Sequence, residues 1–178
     1  MVAGSVGGRM LRAPEGTTTR PTSDRVREAM FNALWSLDAV DGATVADLYA
    51  GSGALGIEAL SRGAETVTFV ESSRTARSVI EDNLRTTGLA DRATVVPGDA
   101  IAHLDATAAR FDLILADPPY AYDGWPALAE AALTRLTPAG LLVAESDQEP
   151  DLGGRASVLR SKRYGGTVVV FARRLADP

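Results

Sequence analysis

The stretch Thr44-Val45-Ala46-Asp47-Leu48-Tyr49-Ala50-Gly51-Ser52-Gly53-Ala54-Leu55-Gly56-Ile57-Glu58 decides how this chain folds. Thr44 to Tyr49 is β-prone and mostly apolar, and reads as a strand. Gly51, Ser52 and Gly53 follow as a turn, because glycine reaches backbone angles closed to larger residues. Ala54 to Arg62 has helical character and stops at Gly63. A strand, a tight turn and a helix start bring bare backbone amides close to a ligand.

Outward from that stretch the same unit repeats. Upstream, Thr22 or Ser23 caps a helix whose apolar positions Val26, Met30, Ala33, Leu34 and Leu37 follow a 3.6-residue period. Downstream, Thr66 to Val70 is a β-branched strand ending at Glu71, and a helix from Ser73 to Thr87 stops at Gly88. Ala93 to Val96 is a third strand, closed by Pro97-Gly98-Asp99, and a poorly patterned helix over Ala100 to Ala109 leads to the apolar strand Phe111 to Ala116. A helix begun by Pro126 runs to Leu136, and Thr137-Pro138-Ala139-Gly140 is expected to turn into a strand over Leu141 to Glu145. Ser157 to Arg163 and Thr167 to Arg173 leave no room between them for a helix, so they form an antiparallel hairpin about Gly165-Gly166. The expectation is an α/β, Rossmann-like fold: a seven-stranded, mostly parallel sheet with an antiparallel C-terminal hairpin strand and helices on both faces. Residues 1–178 read as one domain, with 1–21 as a basic arm or hairpin.

Composition narrows the function. At 46% hydrophobic and 23% charged residues the chain has a globular balance, and no apolar run approaches the ~20 residues that span a bilayer. The glycine-rich start lacks the apolar segment of a secretory signal, so a cytoplasmic setting is expected. The absence of cysteine excludes disulfides, thiol catalysis and cysteine-ligated zinc, and no metal site is expected; the one histidine, His103, reads as structural. A net charge of −5 hides two basic ends. Residues 1–27 carry Arg9, Arg12, Arg20, Arg25 and Arg27 against Glu15 and Asp24, and residues 154–174 carry six cations and no acid.

Ligands of such sheets sit beyond the carboxyl ends of the strands, which here hold Gly51 to Gly53, Glu71, Asp99, Asp117 to Tyr120 and Glu145. Gly51 to Gly56 matches G-x-G-x-x-G with Glu71 twenty residues on, so a dinucleotide also fits the pattern. Two features favour S-adenosylmethionine. Asp47, inside the strand before the loop, can face the ammonium of a methionine moiety. Asp99 can accept from an adenine amino group while Glu71 accepts from two ribose hydroxyls. Tyr49, Ser52, Ser72 and Ala100 flank these groups and complete the expected cofactor wall. Asp47 has an alternative role as a cap of the Gly51 turn, and Glu71 and Asp99 one as solvated strand ends.

Asp117-Pro118-Pro119-Tyr120 closes the buried fourth strand. Two prolines fix φ near about −65° and remove two donors, so the corner presents acceptors, the Asp117 carboxylate and the Pro118 carbonyl. Those suit an exocyclic amine, whose lone pair is delocalised into its ring. Hydrogen bonds from its N–H groups favour a pyramidal nitrogen and stabilise the positive charge growing there. Tyr120 can stack on a base swung out of its helix. Tyr122 and Trp125 either extend that platform or pack as a lid.

The Gly7-Gly8-Arg9 and Arg20-to-Leu34 blocks, Asp47 to Ala64, Phe69-Val70-Glu71 and Asp117 to Tyr120 together resemble the bacterial small-subunit ribosomal RNA guanine-N2 methyltransferase family. The resemblance implies a class I methyltransferase fold, S-adenosyl-L-methionine as donor, and methylation of a guanine N2 in 16S ribosomal RNA, on RNA or an assembling 30S particle. It implies Asp47, Gly51 and Gly53 at the methionine portion, Glu71 at the ribose, Asp99 at the adenine, and Asp117, Pro118 and Tyr120 at the base. Arg20 to Thr22 would lie over the cofactor mouth, while Arg9, Arg12 and the hairpin residues Arg160, Lys162 and Arg163 would grip RNA. A monomer is expected. The alternatives are an amino methyltransferase of DNA adenine, disfavoured by the lack of a second sequence-reading domain, and a non-catalytic RNA-binding assembly factor, against which the intact loop and corner speak.

Overall fold

In the computed structural model, which describes residues 4, 5, 8, 10–13 and 24–176, the elements alternate as the sequence pattern requires. A helix α1 (Asp24–Ser36) precedes β1 (Thr44–Leu48), α2 (Ala54–Ser61), β2 (Thr66–Glu71), α3 (Arg74–Thr87) and β3 (Ala93–Pro97). Then come α4 (Ala100–Ala106), β4 (Phe111–Ala116), α5 (Trp125–Arg135), β5 (Leu136–Ser146), β6 (Ala156–Tyr164) and β7 (Thr167–Arg174). The expected caps of the first helix, Thr22 and Ser23, lie outside the described residues. Ser73 Oγ accepts from the Ala76 amide and Gly88 takes φ 74° at the other end, so α3 is capped at both ends as its sequence predicts.

One seven-stranded sheet has the order β3-β2-β1-β4-β5-β7-β6. The first five strands are parallel, β7 runs antiparallel to β5, and β6 antiparallel to β7. The chain winds outward from β1 to β3, returns beside β1 as β4, and winds the other way. The reversal opens a crevice between the carboxyl ends of β1 and β4. One core lies under α1, α2 and α3, with Phe31, Ile57, Phe69 and Ile80 at its centre. The other lies under α4 and α5, with Leu104, Phe111, Ile114 and Leu128. Buried on both faces, the central strands β1 and β4 have no need of alternation, which is why their sequences read as apolar runs.

Two expected boundaries are wrong: α4 stops at Ala106 and not at Ala109, and the fifth strand begins early. Thr137 to Gly140 is not a turn before the fifth strand but lies inside β5, which pairs Leu136 with Phe111 and then Leu141 with Leu113 across a register shift. The apolar Phe111–Leu136 pair draws the segment into the ladder, and its turn residues become a bulge. Gly140 permits this, because a Cβ there would stand 2.9 Å from the Phe111 carbonyl oxygen.

Candidate active site

The β1 side of the crevice is built of backbone amides held by acids, of which Asp47 is buried and Glu71 half-buried. Tyr49, Gly51 and Gly53 take φ of 58°, 56° and 79°, so three left-handed residues fold the chain back between β1 and α2. For a tyrosine that conformation is strained, and such strain gathers at functional sites. Glu71, at the end of β2, spans the loop: its Oε2 accepts from the Gly51 amide at 2.9 Å and its Oε1 from the Ser73 amide at 2.8 Å. Asp47 is buried, and its Oδ2 accepts from the Gly56 amide at 2.8 Å. It therefore ties down the first turn of α2, whereas the Gly51 amide belongs to Glu71. Loss of water pushes the Asp47 carboxyl well above the ordinary carboxylate range; the Gly56 amide opposes this, and the negative charges of Asp117 and Glu71 add to it. Gly56 is required by this closeness, since a Cβ would come within 2.3 Å of the Phe69 ring and 2.9 Å of Asp47 Oδ2.

Beyond β2 and β3 opens a shallow hollow, exposed to solvent and lined by Tyr49, Val70, Glu71, Ser72, Gly98, Asp99 and Ala100. The structure thus brings together five of the expected cofactor residues. Asp99 caps α4 by accepting from the Ala102 amide through Oδ1 at 2.9 Å. A carboxylate oxygen has more than one lone pair, so Glu71 and Asp99 keep acceptor capacity toward the hollow. Apolar walls from Val70 and Ala100 with carboxylates at the rim fit a nucleoside.

The β4 side is different. Asp117 is half-buried, Pro118 buried, and Pro119 and Tyr120 exposed, with Tyr120 at 49%. Ala121 follows with φ 60°, a second strained residue that is not glycine. Tyr122 and Trp125 form no platform for a base. Trp125 is buried at the start of α5, and Tyr122 packs edge-on between it and Tyr49, at ring separations of 5.8 and 5.7 Å. The Tyr49 and Tyr122 hydroxyls lie 3.0 Å apart, and burial with this bond raises the Tyr49 pKa. This pair, unforeseen in the sequence, joins the hollow to the loop after Asp117. Among the described residues no group of three or more histidines and acids is arranged to hold a metal.

Of the basic residues expected to meet RNA, Arg9, Arg20 and Thr22 lie outside the described residues. The Arg12 side chain is exposed, 3.8 Å from Asp82. In β6, Arg160 and Lys162 stand opposite Phe171 and Val169, which belong to the core beneath α1 to α3, so they share the face on which Leu11 packs. Arg163 stands opposite Val168 on the other face, and donates to the Asp147 carbonyl at 3.2 Å. The hairpin tip lies beside the carboxyl end of β5, at the crevice end of the sheet.

A glycine loop held by acids at the first strand, and an acceptor corner at the fourth across a strand-order reversal, define a class I methyltransferase. The sequence model of a family described as conserved hypothetical protein 95 matches residues 1–173, and the chain belongs to that family. YlbH of Bacillus subtilis, provisionally named an rRNA methyltransferase, is 40% identical over 98% of both chains. Ribosomal RNA small subunit methyltransferase D of Haemophilus influenzae is 33% identical over 85% of this chain and 80% of its own length. The structure of yhhF of Escherichia coli, provisionally named a methyltransferase, superposes with a TM-score of 0.87 over 99% of this chain and 98% of its own, at 32% identity.

Proposed function

We propose that this protein transfers the methyl group of S-adenosylmethionine to the exocyclic N2 of a guanine in small-subunit ribosomal RNA. The observation that carries the reading is the Asp117 corner, set beside the glycine loop at the crevice and close enough to Asp47 for their charges to interact. Relatives named as ribosomal RNA small subunit methyltransferase D support RNA as the substrate. Its setting is then the cytoplasm.

Each wall has its task. Glu71 and Asp99 accept from the ribose and the adenine, the Gly51 to Gly53 backbone lies along the methionine portion with Tyr49 and Ser52, and Asp47 supplies negative charge beneath its ammonium. When bound, the sulfonium supplies an electrophilic methyl group. The Asp117 carboxylate and the Pro118 carbonyl accept from the guanine amino group, turn its lone pair toward that methyl, and stabilise the positive charge that grows on nitrogen. Tyr120 stacks on the extruded base. Arg12, Arg160 and Lys162, on one face, follow the phosphates, together with Arg9, Arg20 and Thr22 of the arm.

Incubation of small-subunit RNA with S-adenosylmethionine labelled in the methyl group, followed by mass-spectrometric mapping, tests this. N2-methylguanine at one position is expected; methyl groups on adenine N6, or on protein, would overturn the reading.

A further inference from the structure

Among the buried polar residues that the site leaves unused, Asn83 is the one that bonds to the cofactor loop. It sits on α3 between Ile80 and Leu84 of the core and is 3% exposed, yet all three of its side-chain bonds lead away from its own helix. Its Oδ1 accepts from the Arg12 amide at 2.9 Å, and its Nδ2 donates to the Arg12 carbonyl at 3.0 Å. This is the pairing a neighbouring strand would make with Arg12. The same Nδ2 donates to the Ser52 carbonyl at 2.9 Å, in the middle of the glycine loop. Both amide hydrogens and the carbonyl oxygen are thereby engaged. The Asn83 side chain is buried and its three bonds part-buried, so a bond broken on its side leaves an amide atom poorly placed to find water.

We infer that Asn83 is a positioning residue that joins the basic arm to the cofactor loop, so that filling the loop tightens the arm for RNA. The geometry permits little independent movement. If the loop shifts at Ser52, Nδ2 must follow or lose a partner, and the same nitrogen holds the Arg12 carbonyl in a two-bond pair that the Arg12 amide completes through Oδ1, so deleting that amide loosens the link. Leu11 packs on the core beside this contact and Arg12 reaches toward Asp82, which holds residues 11 and 12 against the body. Coupling between two sites is reciprocal, and through such a link it lies in the range of about 5- to 150-fold.

The inference rests on the cofactor and RNA assignments above, and its test separates the three. Hydrogen exchange of the 10–13 segment is followed with and without S-adenosylhomocysteine in the wild type, Asn83→Ala, Arg12→Pro, which deletes the amide that meets Oδ1, and Arg12→Ala, which keeps it. Calorimetry on the same samples reports whether the nucleoside binds at all. The wild type and Arg12→Ala should slow exchange at least about tenfold on binding, while Asn83→Ala and Arg12→Pro bind the nucleoside without slowing the arm. Arg12→Pro leaves α3 untouched, so it reports even if Asn83→Ala folds poorly. Equal protection in Arg12→Pro and Arg12→Ala overturns the inference, as does a wild-type arm that does not respond to a bound nucleoside. With an RNA fragment added, the wild type should bind it more tightly when the nucleoside is present and Arg12→Pro should not; RNA affinity that ignores the nucleoside in both would overturn it too.

Discussion

The two sides of the crevice are made by opposite means. At the end of β1 the chain presents amides, and nearly every acid nearby already holds one: Asp47 the Gly56 amide, Glu71 those of Gly51 and Ser73, Asp99 that of Ala102. At the end of β4 two prolines strip donors away and leave acceptors, with Tyr120 exposed beyond them. The first wall is set before any ligand arrives. The second carries an aromatic ring outward at Tyr120, and Tyr122 in the loop beyond it bonds to Tyr49. On the proposed function, the cofactor meets a frame already bonded together, and the RNA base meets a projecting corner.

If this contrast holds, changes on the two sides separate cleanly. The largest effect is expected for Asp117→Ala, which should lower turnover by about a hundred- to a thousandfold while S-adenosylhomocysteine affinity stays within a few-fold by calorimetry. Equal losses in both would merge the two walls. Glu71→Ala should do the reverse, weakening nucleoside binding by about 10- to 100-fold through loss of charged hydrogen bonds, with a smaller change in turnover at saturating cofactor.

Asp47 sharpens the comparison through pH. Its folded pKa lies above the unfolded 3.8, so the folded protein binds that proton more tightly. The stability this contributes is present below 3.8 and is lost as pH rises through the folded value. Asp47→Asn keeps an oxygen for the Gly56 amide and removes the buried charge. Its melting temperature should fall less than that of the wild type as pH is raised from 3.8 through the folded value, ending a few degrees higher; parallel pH curves would assign the burial no cost. The smallest effect concerns RNA. Arg160→Ala with Lys162→Ala should reduce the slope of log affinity against log salt by about two, and Arg163→Ala, on the opposite face, should leave it unchanged.

Much of this architecture is readable from local pattern. The alternation of β-branched runs and capped helices reveals the winding, because the stop at Gly88 and the apolar run Phe111 to Ala116 are decided by neighbours in sequence. The acids at strand ends follow from topology once the winding is known. What escapes the sequence depends on partners far along the chain. Asn83 bonds to residues 71 and 31 positions away, and its only trace is a polar residue where an apolar one belongs on α3. Trp125 reads in the sequence as either a base platform or a packed lid, and is buried at the start of α5. Thr137 to Gly140 has turn composition yet is recruited into β5 by the Phe111–Leu136 pair. In each case tertiary packing outweighs the local signal.

The row of rings from Tyr49 through Tyr122 to Trp125 also has an optical consequence. The chain has two tryptophans, and Trp35, at the end of α1, is 67% exposed, so its emission is that of an indole in water. Trp125 emits from a dry, apolar surround, one tyrosine removed from the hollow. With Trp35→Phe, the remaining fluorescence comes from an indole that senses Tyr49 through a single ring, and ligand arrival can be followed by light without attaching any dye.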